Sequence, residues 1–177
     1  MQPTVAGKRH DAIDVFLERV LLLYPTLDPM VEAAVDRITH LTKALDRSAE
    51  RTFAAFGLNK GEFKVLLRLH SCEGGGPMTA GELSETLSLS SGAMTNRLDG
   101  LEERALVTRR RDPDDRRSVL VHITDHGIEV LGAAVAAQGE QERQLLSVLS
   151  EPELERLNGL LRKLMLADED ARTEASA

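Results

Sequence analysis

Residues 79–124 decide the fold, and they read TAGELSETLSLSSGAMTNRLDGLEERALVTRRRDPDDRRSVLVHIT. The spacing of the apolar residues predicts a helix, a tight turn and a second helix, followed by two strands joined by a charged tip. Thr79 and Glu82 have the spacing of a capping box at the start of the first helix. Ser90 is the predicted N-cap of the second helix, which runs to about Arg104. A helix pair followed by a two-stranded hairpin is a winged helix-turn-helix, and the hairpin is the wing.

The second helix of this stretch has two faces of different chemistry. Its inner face is marked by three apolar residues that recur at i, i+4 and i+7, namely Met94, Leu98 and Leu101. The opposite face carries small hydrogen-bonding side chains, which suits a helix that enters a groove of duplex DNA and contacts base edges. The candidate DNA-contacting residues of this helix are Ser90, Ser91, Thr95, Asn96 and Arg97.

The wing concentrates positive charge in an acidic chain. Residues 106–111 and 118–123 read as strands, and residues 112–117 form a polar tip in which Pro113 suits a turn. Six arginines and three aspartates lie between Arg104 and Arg117, whereas the whole chain carries a net charge of −7. A DNA-binding surface needs cations only near the phosphates. The candidate DNA-contacting residues of the wing are Arg110, Arg116 and Arg117, and which tip arginine contacts DNA and which pairs with an aspartate stays open.

Three motifs together resemble the MarR family of bacterial transcription regulators. They are the second helix from Ser90 to Leu98, the aspartate-rich tip that ends in Arg116 and Arg117, and the Thr-x-x-Gly from Thr124 to Gly127. The resemblance spans roughly residues 31–167. It implies a homodimer whose N- and C-terminal helices interlock. It also implies a sequence-specific regulator of double-stranded DNA, whose near-palindromic operator accepts two recognition helices roughly 34–36 Å apart.

The second helix further resembles a subgroup of that family whose members respond to urate or small carboxylates. By that resemblance, the urate site uses a tryptophan, an aspartate and two arginines that match Arg97 and Arg109. The chain has no tryptophan, and Lys64 occupies the place of the aspartate. A pocket of Lys64, Arg97 and Arg109 would be cationic, so we expect a small anionic effector such as a carboxylate rather than urate. The alternative is that Lys64 is solvated or pairs with Glu18 or Glu62, and that no pocket exists.

Composition favours a mainly α-helical protein. The chain has 177 residues, a length that is enough for one hydrophobic core. Of these residues, 29% are charged and 3% are aromatic. No apolar run exceeds residues 20–24, so no membrane span is expected. Acidic residues interrupt the N-terminal apolar segment, which argues against a signal peptide, and a single cysteine excludes an internal disulfide. We therefore expect a cytoplasmic protein.

The remaining helices give a domain plan around the winged segment. We expect residues 1–30 to form an N-terminal extension with one extra helix, and the resemblance implies that residues 31–167 form a MarR-type domain. Within that domain, residues 79–104 are the helix-turn-helix and residues 105–124 are the wing. A long helix from about Pro29 ends at Gly57, and Asn59, Thr124 and Ser150 are predicted caps of later helices. Residues 168–177 are expected to be a disordered acidic tail. The N- and C-terminal helices have apolar faces that a dimerisation region would cover.

No catalytic or cofactor site emerges from the sequence. Cys72 invites a redox interpretation, but it lies late in a helix beside Glu73, so a half-buried small apolar role is the preferred one. The histidines lack metal-ligand spacing, and the glycine run 74–76 lacks the Lys-Ser/Thr of a phosphate-binding loop. We therefore expect neither an enzyme nor a cofactor. The alternative function is a winged helix that only binds proteins, and the arginine-rich wing and polar helix face favour DNA.

Overall fold

The computed structural model describes residues 10–72, 76–112 and 118–175. Those ranges contain seven α-helices and three short strands. In chain order they are α1 (Ala12–Leu23), α2 (Pro29–Ala54), α3 (Lys60–Ser71), β1 (Met78–Thr79), α4 (Ala80–Thr86), α5 (Ser91–Glu103), β2 (Val107–Arg111), β3 (Val119–Ile123), α6 (Asp125–Leu146) and α7 (Glu151–Ala175). The chain divides into two compact units, Met1–Arg51 and Thr52–Ala177, and the division falls in the last turn of α2.

The first unit is organised by ion pairs at the start of α1. Asp11 caps the helix, because its carboxylate accepts hydrogen bonds from the main-chain N–H groups of Ile13 and Asp14, at 2.9 and 3.0 Å. Arg37 of α2 contacts both carboxylates, at 2.8 Å from Asp11 and 2.5 Å from Asp14. The hydrogen bond from Arg37 is the largest cause that lowers the pKa of Asp11 to about 2. The N-terminus of α1 is thereby fixed to the middle of α2.

The core of the second unit lies between α3, α5 and the sheet. Its most deeply buried side chains, at 2% exposure or less, include Val65, Leu66, Leu69, Leu83, Met94, Leu98, Leu101, Val107, Val121 and Leu131. The predicted inner face of α5 is therefore confirmed. On α3 not every apolar residue faces the core, because Leu67 is 40% exposed, and His70 is exposed as well. The helix instead buries the i, i+3, i+4 and i+7 positions from Glu62 to Leu69.

The wing hairpin is present and belongs to a three-stranded sheet. Strands β2 and β3 are antiparallel from Val107 opposite Ile123 to Arg111 opposite Val119. Strand β1 pairs with the other edge of β3 and gives the order β1-β3-β2. The sequence predicted only the two wing strands, because a strand of two residues is too short to show an alternating pattern.

Three helix ends in the second unit share one type of turn. Gly57, Ser88 and Ala105 have φ angles of 70°, 52° and 54°, in the left-handed region. In each turn the next residue donates its N–H to the carbonyl five residues back, as in a Schellman motif. These bonds are Leu58 to Phe53 at 3.0 Å, Leu89 to Ser84 at 2.8 Å and Leu106 to Leu101 at 2.9 Å. The C-cap role predicted for Gly57 is confirmed, and the helix-turn-helix uses the same turn without glycine.

The C-terminal segment differs from the expected disordered tail. Helix α7 continues to Ala175, so residues 168–175 are helical, and residues 176–177 lie outside the described part. Asp168 and Arg172 form an i, i+4 ion pair at 2.8 Å, and the alanines and glutamates nearby favour helix. Among the described residues, none of the helices has the length and apolar character that a transmembrane segment requires.

Candidate nucleic-acid interface

The small polar residues of α5 share one exposed face. Ser90 caps the helix by accepting a hydrogen bond from the N–H of Ala93 at 3.3 Å. Ser91, Thr95 and Asn96 are all exposed, and the Thr95 hydroxyl donates to the Ser91 carbonyl at 2.9 Å. The buried apolar residues of α5 hold the opposite side against the core. The first two turns of α5 therefore present hydroxyl and amide groups to the outside, as a helix that contacts base edges must.

Arg97 is placed differently from the other candidate residues of α5. It is half-buried, and its guanidinium lies against Gly61 of α3. A Cβ atom on Gly61 would lie 2.3 Å from Arg97 Nε, so only glycine permits this approach. Arg97 Nη1 is buried, and it has no hydrogen-bond partner within the described residues. The structure thus directs Arg97 toward α3.

A cleft of about 250 Å³ lies beside Arg97. It is lined by Lys60, Gly61, Lys64, Leu87, Leu89 and Arg97. The structure therefore brings together Lys64 and Arg97, as expected from the sequence, and adds Lys60. The third expected residue, Arg109, is not among the described residues that line the cleft. The lining combines cations with an apolar wall, which is a suitable surface for a small organic anion.

Arg109 instead joins strand β2 to helix α5. Its Nη2 lies 2.7 Å from Asp99 and 2.6 Å from Glu102, and its Nε lies 2.8 Å from Glu102. Its main-chain N–H also donates to Glu102 at 3.1 Å. The hydrogen bond from the Arg109 side chain is the largest cause that lowers the pKa of Glu102, and the same bond raises the pKa of Arg109. The positive charge of Arg109 is therefore balanced within the protein.

The opposite face of β2 is the exposed one. Thr108 and Arg110 alternate with Val107 and Arg109, and both are exposed. Asp112 donates its N–H to the Ser118 carbonyl at 3.1 Å, which closes the base of the tip. The candidate residues Arg116 and Arg117 lie outside the described residues. Arg110 is therefore the candidate wing cation that the structure describes, and it is accessible to DNA.

The base of the wing explains the Thr-x-x-Gly motif. Thr124 caps α6 and contacts the preceding turn, because its N–H donates to the Leu106 carbonyl at 3.0 Å and its hydroxyl to the Ala105 carbonyl at 2.8 Å. Gly127 lies so near that a Cβ atom there would stand 2.2 Å from the Leu106 carbonyl oxygen. The sequence identified this motif only through its resemblance. Its physical role is to pack the start of α6 onto the start of β2.

Contacts of the Arg104 side chain hold the C-terminal end of α5 against α3 and the turn that precedes it. The Arg104 guanidinium donates to the Gly57 carbonyl, contacts Glu62 at 2.5 Å, and donates to the Gly100 carbonyl at 2.7 Å. Glu62 is buried and also accepts the Asn59 N–H at 3.0 Å. Sequence reasoning predicted the capping box of Asn59 and Glu62, which is confirmed, and missed the second partner of Glu62. The one signal for that role was the position of Glu62 on the face of α3 that the helical period buries.

The remaining candidates from the sequence are the single cysteine and a metal site. Cys72 is half-buried, and its thiol donates to the Leu69 and Gly76 carbonyls at 3.2 and 3.0 Å. Within the part of the chain that the structure describes, no cluster of three histidine, cysteine or carboxylate side chains could hold a metal ion.

Comparison with known proteins points to one family. A family model described as MarR family matches residues 58–119, which extend from the end of the turn after α2 to the first residue of β3. The transcriptional repressor MprA of Escherichia coli K12 is 31% identical over 77% of this chain and 78% of its own. The transcriptional regulator PecS of Dickeya dadantii is 28% identical over 77% of this chain and 82% of its own. A mutant MarR from E. coli, solved in complex with operator DNA, superposes with a TM-score of 0.59 at 28% identity and covers 74% of this chain and 93% of its own.

Proposed function

This chain belongs to the MarR family of DNA-binding transcription regulators, which are not enzymes, and we propose that it is a dimeric repressor released from its operator by a small anion. The observation that carries the DNA-binding part is the exposed polar face of α5 beside an arginine-bearing strand that Arg109 joins to it. Ser91, Thr95 and Asn96 read base edges in the major groove. Arg110 and the tip arginines contact phosphate or the minor groove.

The dimer follows from apolar surface that one chain leaves uncovered. Helix α2 exposes one apolar row, and α7 has no buried residue in the described chain. The exposed residues of these helices include Val31, Val35, Ile38, Leu41, Leu160, Leu164 and Met165. Monomeric proteins rarely expose rows of this size, so a second copy covers them. Two recognition helices then lie roughly 34–36 Å apart, and the operator is a near-palindrome.

Truncation tests the dimer. Removing residues 150–177 deletes α7, and we expect aggregated or unfolded protein because its partner surface is left exposed. Light scattering behind a sizing column measures the state of the product. A well-behaved monomer that still binds DNA tightly would contradict the arrangement.

The effector site is the cleft between Lys64 and Arg97. A carboxylate reaching the cleft would supply the hydrogen-bond acceptor that Arg97 Nη1 lacks among the described residues, and the side chains of Leu87 and Leu89 would pack on its apolar part. Arg109 contributes no net charge there, because Asp99 and Glu102 already pair with it. Leu87 and Leu89 belong to the helix-turn-helix turn, so a bound anion favours one position of α5 over another. The anion lowers DNA affinity to the extent that it binds the two states differently.

Calorimetry tests the effector. Urate and a series of di- and tricarboxylates are titrated into the wild type, Lys64→Asp and the control Lys43→Asp on α2. We expect a carboxylate to bind the wild type and the control, and to bind Lys64→Asp at least tenfold more weakly, since the substitution replaces an attraction with a repulsion. Tight urate binding, or carboxylate binding indifferent to Lys64, would refute the proposal.

A titration at two salt concentrations tests the DNA-binding function itself. Fluorescence anisotropy with labelled genomic fragments should give saturable binding that weakens steeply with salt, because each neutralised phosphate releases counterions. A winged helix used only for protein interaction would show neither effect. The absence of saturable binding at both salt concentrations would point to that alternative.

A further inference from the structure

The direction of the Arg109 side chain is set by the register of the wing. Arg109 lies opposite Val121, and Val107 lies opposite Ile123 two residues earlier on the same strand face. Val107 and Val121 are 1% and 0% exposed, so that face points to the core. Arg109 therefore points inward toward α5, where its side chain is 28% exposed, and Arg110 points outward.

The position of Arg109 along the hairpin is also informative. Strand β1 supports β3 through only two residue pairs, Met78 with Val121 and Thr79 with Leu120. Arg109 pairs with Val121 and Arg110 with Leu120, so β1 supports the hairpin as far as Arg110, and beyond that residue the hairpin has only its own two strands. An isolated two-stranded hairpin is marginal in water. The contacts of Arg109 thus lie where the wing leaves the body of the domain.

We propose that Arg109 is a positioning residue for DNA binding, a bridge that fixes the wing relative to the recognition helix through Asp99 and Glu102. The proposal rests on the DNA-binding function proposed above. Asp99 and Glu102 are one turn apart on α5, and together they accept three hydrogen bonds from the guanidinium and one from the Arg109 main chain. A helix in the major groove and a wing beside it must reach DNA with one fixed spacing. Holding that spacing in the free protein removes an ordering cost from binding.

A direct phosphate contact by Arg109 predicts different behaviour. The bridge contains one cation and two carboxylates, so its net charge is −1 and it does not attract DNA. Glu102→Gln removes one negative charge near the interface, which by electrostatics alone would strengthen DNA binding. If the carboxylate works through Arg109, the same substitution weakens binding. The sign of the Glu102→Gln effect therefore separates the two roles.

The experiment uses the full chain and a duplex selected from a random pool for tightest binding. Arg109→Gln and Glu102→Gln should each weaken binding about threefold to tenfold, and the double variant should be no weaker than the single ones, as expected for residues that act as a unit. The slope of log affinity against log salt should stay unchanged in all three. Arg110→Gln is the matched control on the outward face, and it should lower that slope by about one for each phosphate that the side chain no longer neutralises.

Two further measurements separate positioning from general instability. A loosened wing should lower the preference for the selected duplex over one whose wing-contact segment is displaced by one base pair, whereas reduced stability weakens binding to both duplexes alike. In the DNA-free protein, hydrogen exchange of the β2 and β3 amides should accelerate in Arg109→Gln, and Arg109→Lys should restore part of the protection. Tighter or unchanged DNA binding by Glu102→Gln, or a lower salt slope in Arg109→Gln, would overturn the bridge. If the wild type binds no duplex, the proposed function fails, and unchanged exchange in Arg109→Gln would separately overturn the bridge.

Discussion

Substitution of Gly127 by alanine should weaken the fold at the base of the wing. A Cβ atom there would lie 2.2 Å from the Leu106 carbonyl oxygen, 3.1 Å from the Leu106 carbonyl carbon and 2.9 Å from the Ile123 Cγ1. The two constraints from Leu106 belong to the main chain, so a rotamer change cannot relieve them. The start of α6 must move away from Leu106, and that movement breaks the 3.0 Å hydrogen bond from the Thr124 N–H to the same carbonyl.

The magnitude follows from these two effects. An extra methyl group in a packed site costs about 1–3 kcal/mol, and the loss of a buried hydrogen bond costs about 1 kcal/mol more. The higher helix propensity of alanine offsets at most about 1 kcal/mol of this loss. We therefore expect a loss of about 1–4 kcal/mol, which corresponds to a fall in Tm of about 2–16 °C for a chain of this size.

Thermal and urea unfolding, followed by circular dichroism at one fixed protein concentration, measure the effect. Fixed concentration matters because a dimer is stabilised by mass action. Gly132→Ala on the same helix is the matched control, since nothing lies within 4 Å of a Cβ atom there in the described chain. The control should be neutral or stabilised by up to about 1 kcal/mol. Equal unfolding midpoints, in heat and in urea, for Gly127→Ala and the wild type would refute the packing role of the Thr-x-x-Gly motif.

Four further predictions test separate features. Arg117→Ala should weaken binding to all DNA sequences and lower the salt slope by about one for each phosphate left without its arginine in each subunit, measured by anisotropy. Asn96→Ala should instead reduce the preference for the selected duplex by about 1–3 kcal/mol. Arg37→Gln should raise the pKa of Asp11 from about 2 toward 3.8, as measured by carboxyl NMR titration. The stability above this pH range that depends on the Arg37 contact should be lost, whereas the part from the capping hydrogen bonds stays. Ala105→Gly should raise the free energy of unfolding, measured in urea, by about 0.5–1 kcal/mol. The left-handed backbone conformation strains an alanine by more than the conformational entropy that a glycine costs.

The sequence predicted what local patterns can encode. The capping boxes at Asn59 and Thr79, the N-caps Ser90 and Thr124, and the left-handed Gly57 are confirmed, because each depends on residues within a few positions of one another. The inner face of α5 was also predictable, because its three apolar residues follow the helical period without exception.

The contacts that join the elements were not predictable in the same way. The partners of Arg109 and of Glu62 lie 7 to 42 residues away, and no period in the sequence links them. Arg109 was expected in an effector site, and the structure places it in ion pairs with Asp99 and Glu102. The approach of Arg97 to Gly61 depends on the missing side chain of a single glycine. Such a contact becomes visible only once α3 and α5 are packed together.

Selection of duplexes from a random pool by the purified wild type, followed by sequencing, tests the central claim most directly. A dimer that reads DNA with two copies of α5 should enrich one near-palindrome whose half-sites are separated by about one helical turn. The variant Asn96→Ala should enrich a more degenerate sequence from the same pool, and Asn158→Ala on α7 should enrich the wild-type sequence. No enrichment above the input pool, or an enriched sequence that Asn96→Ala leaves unchanged, would contradict the role assigned to α5.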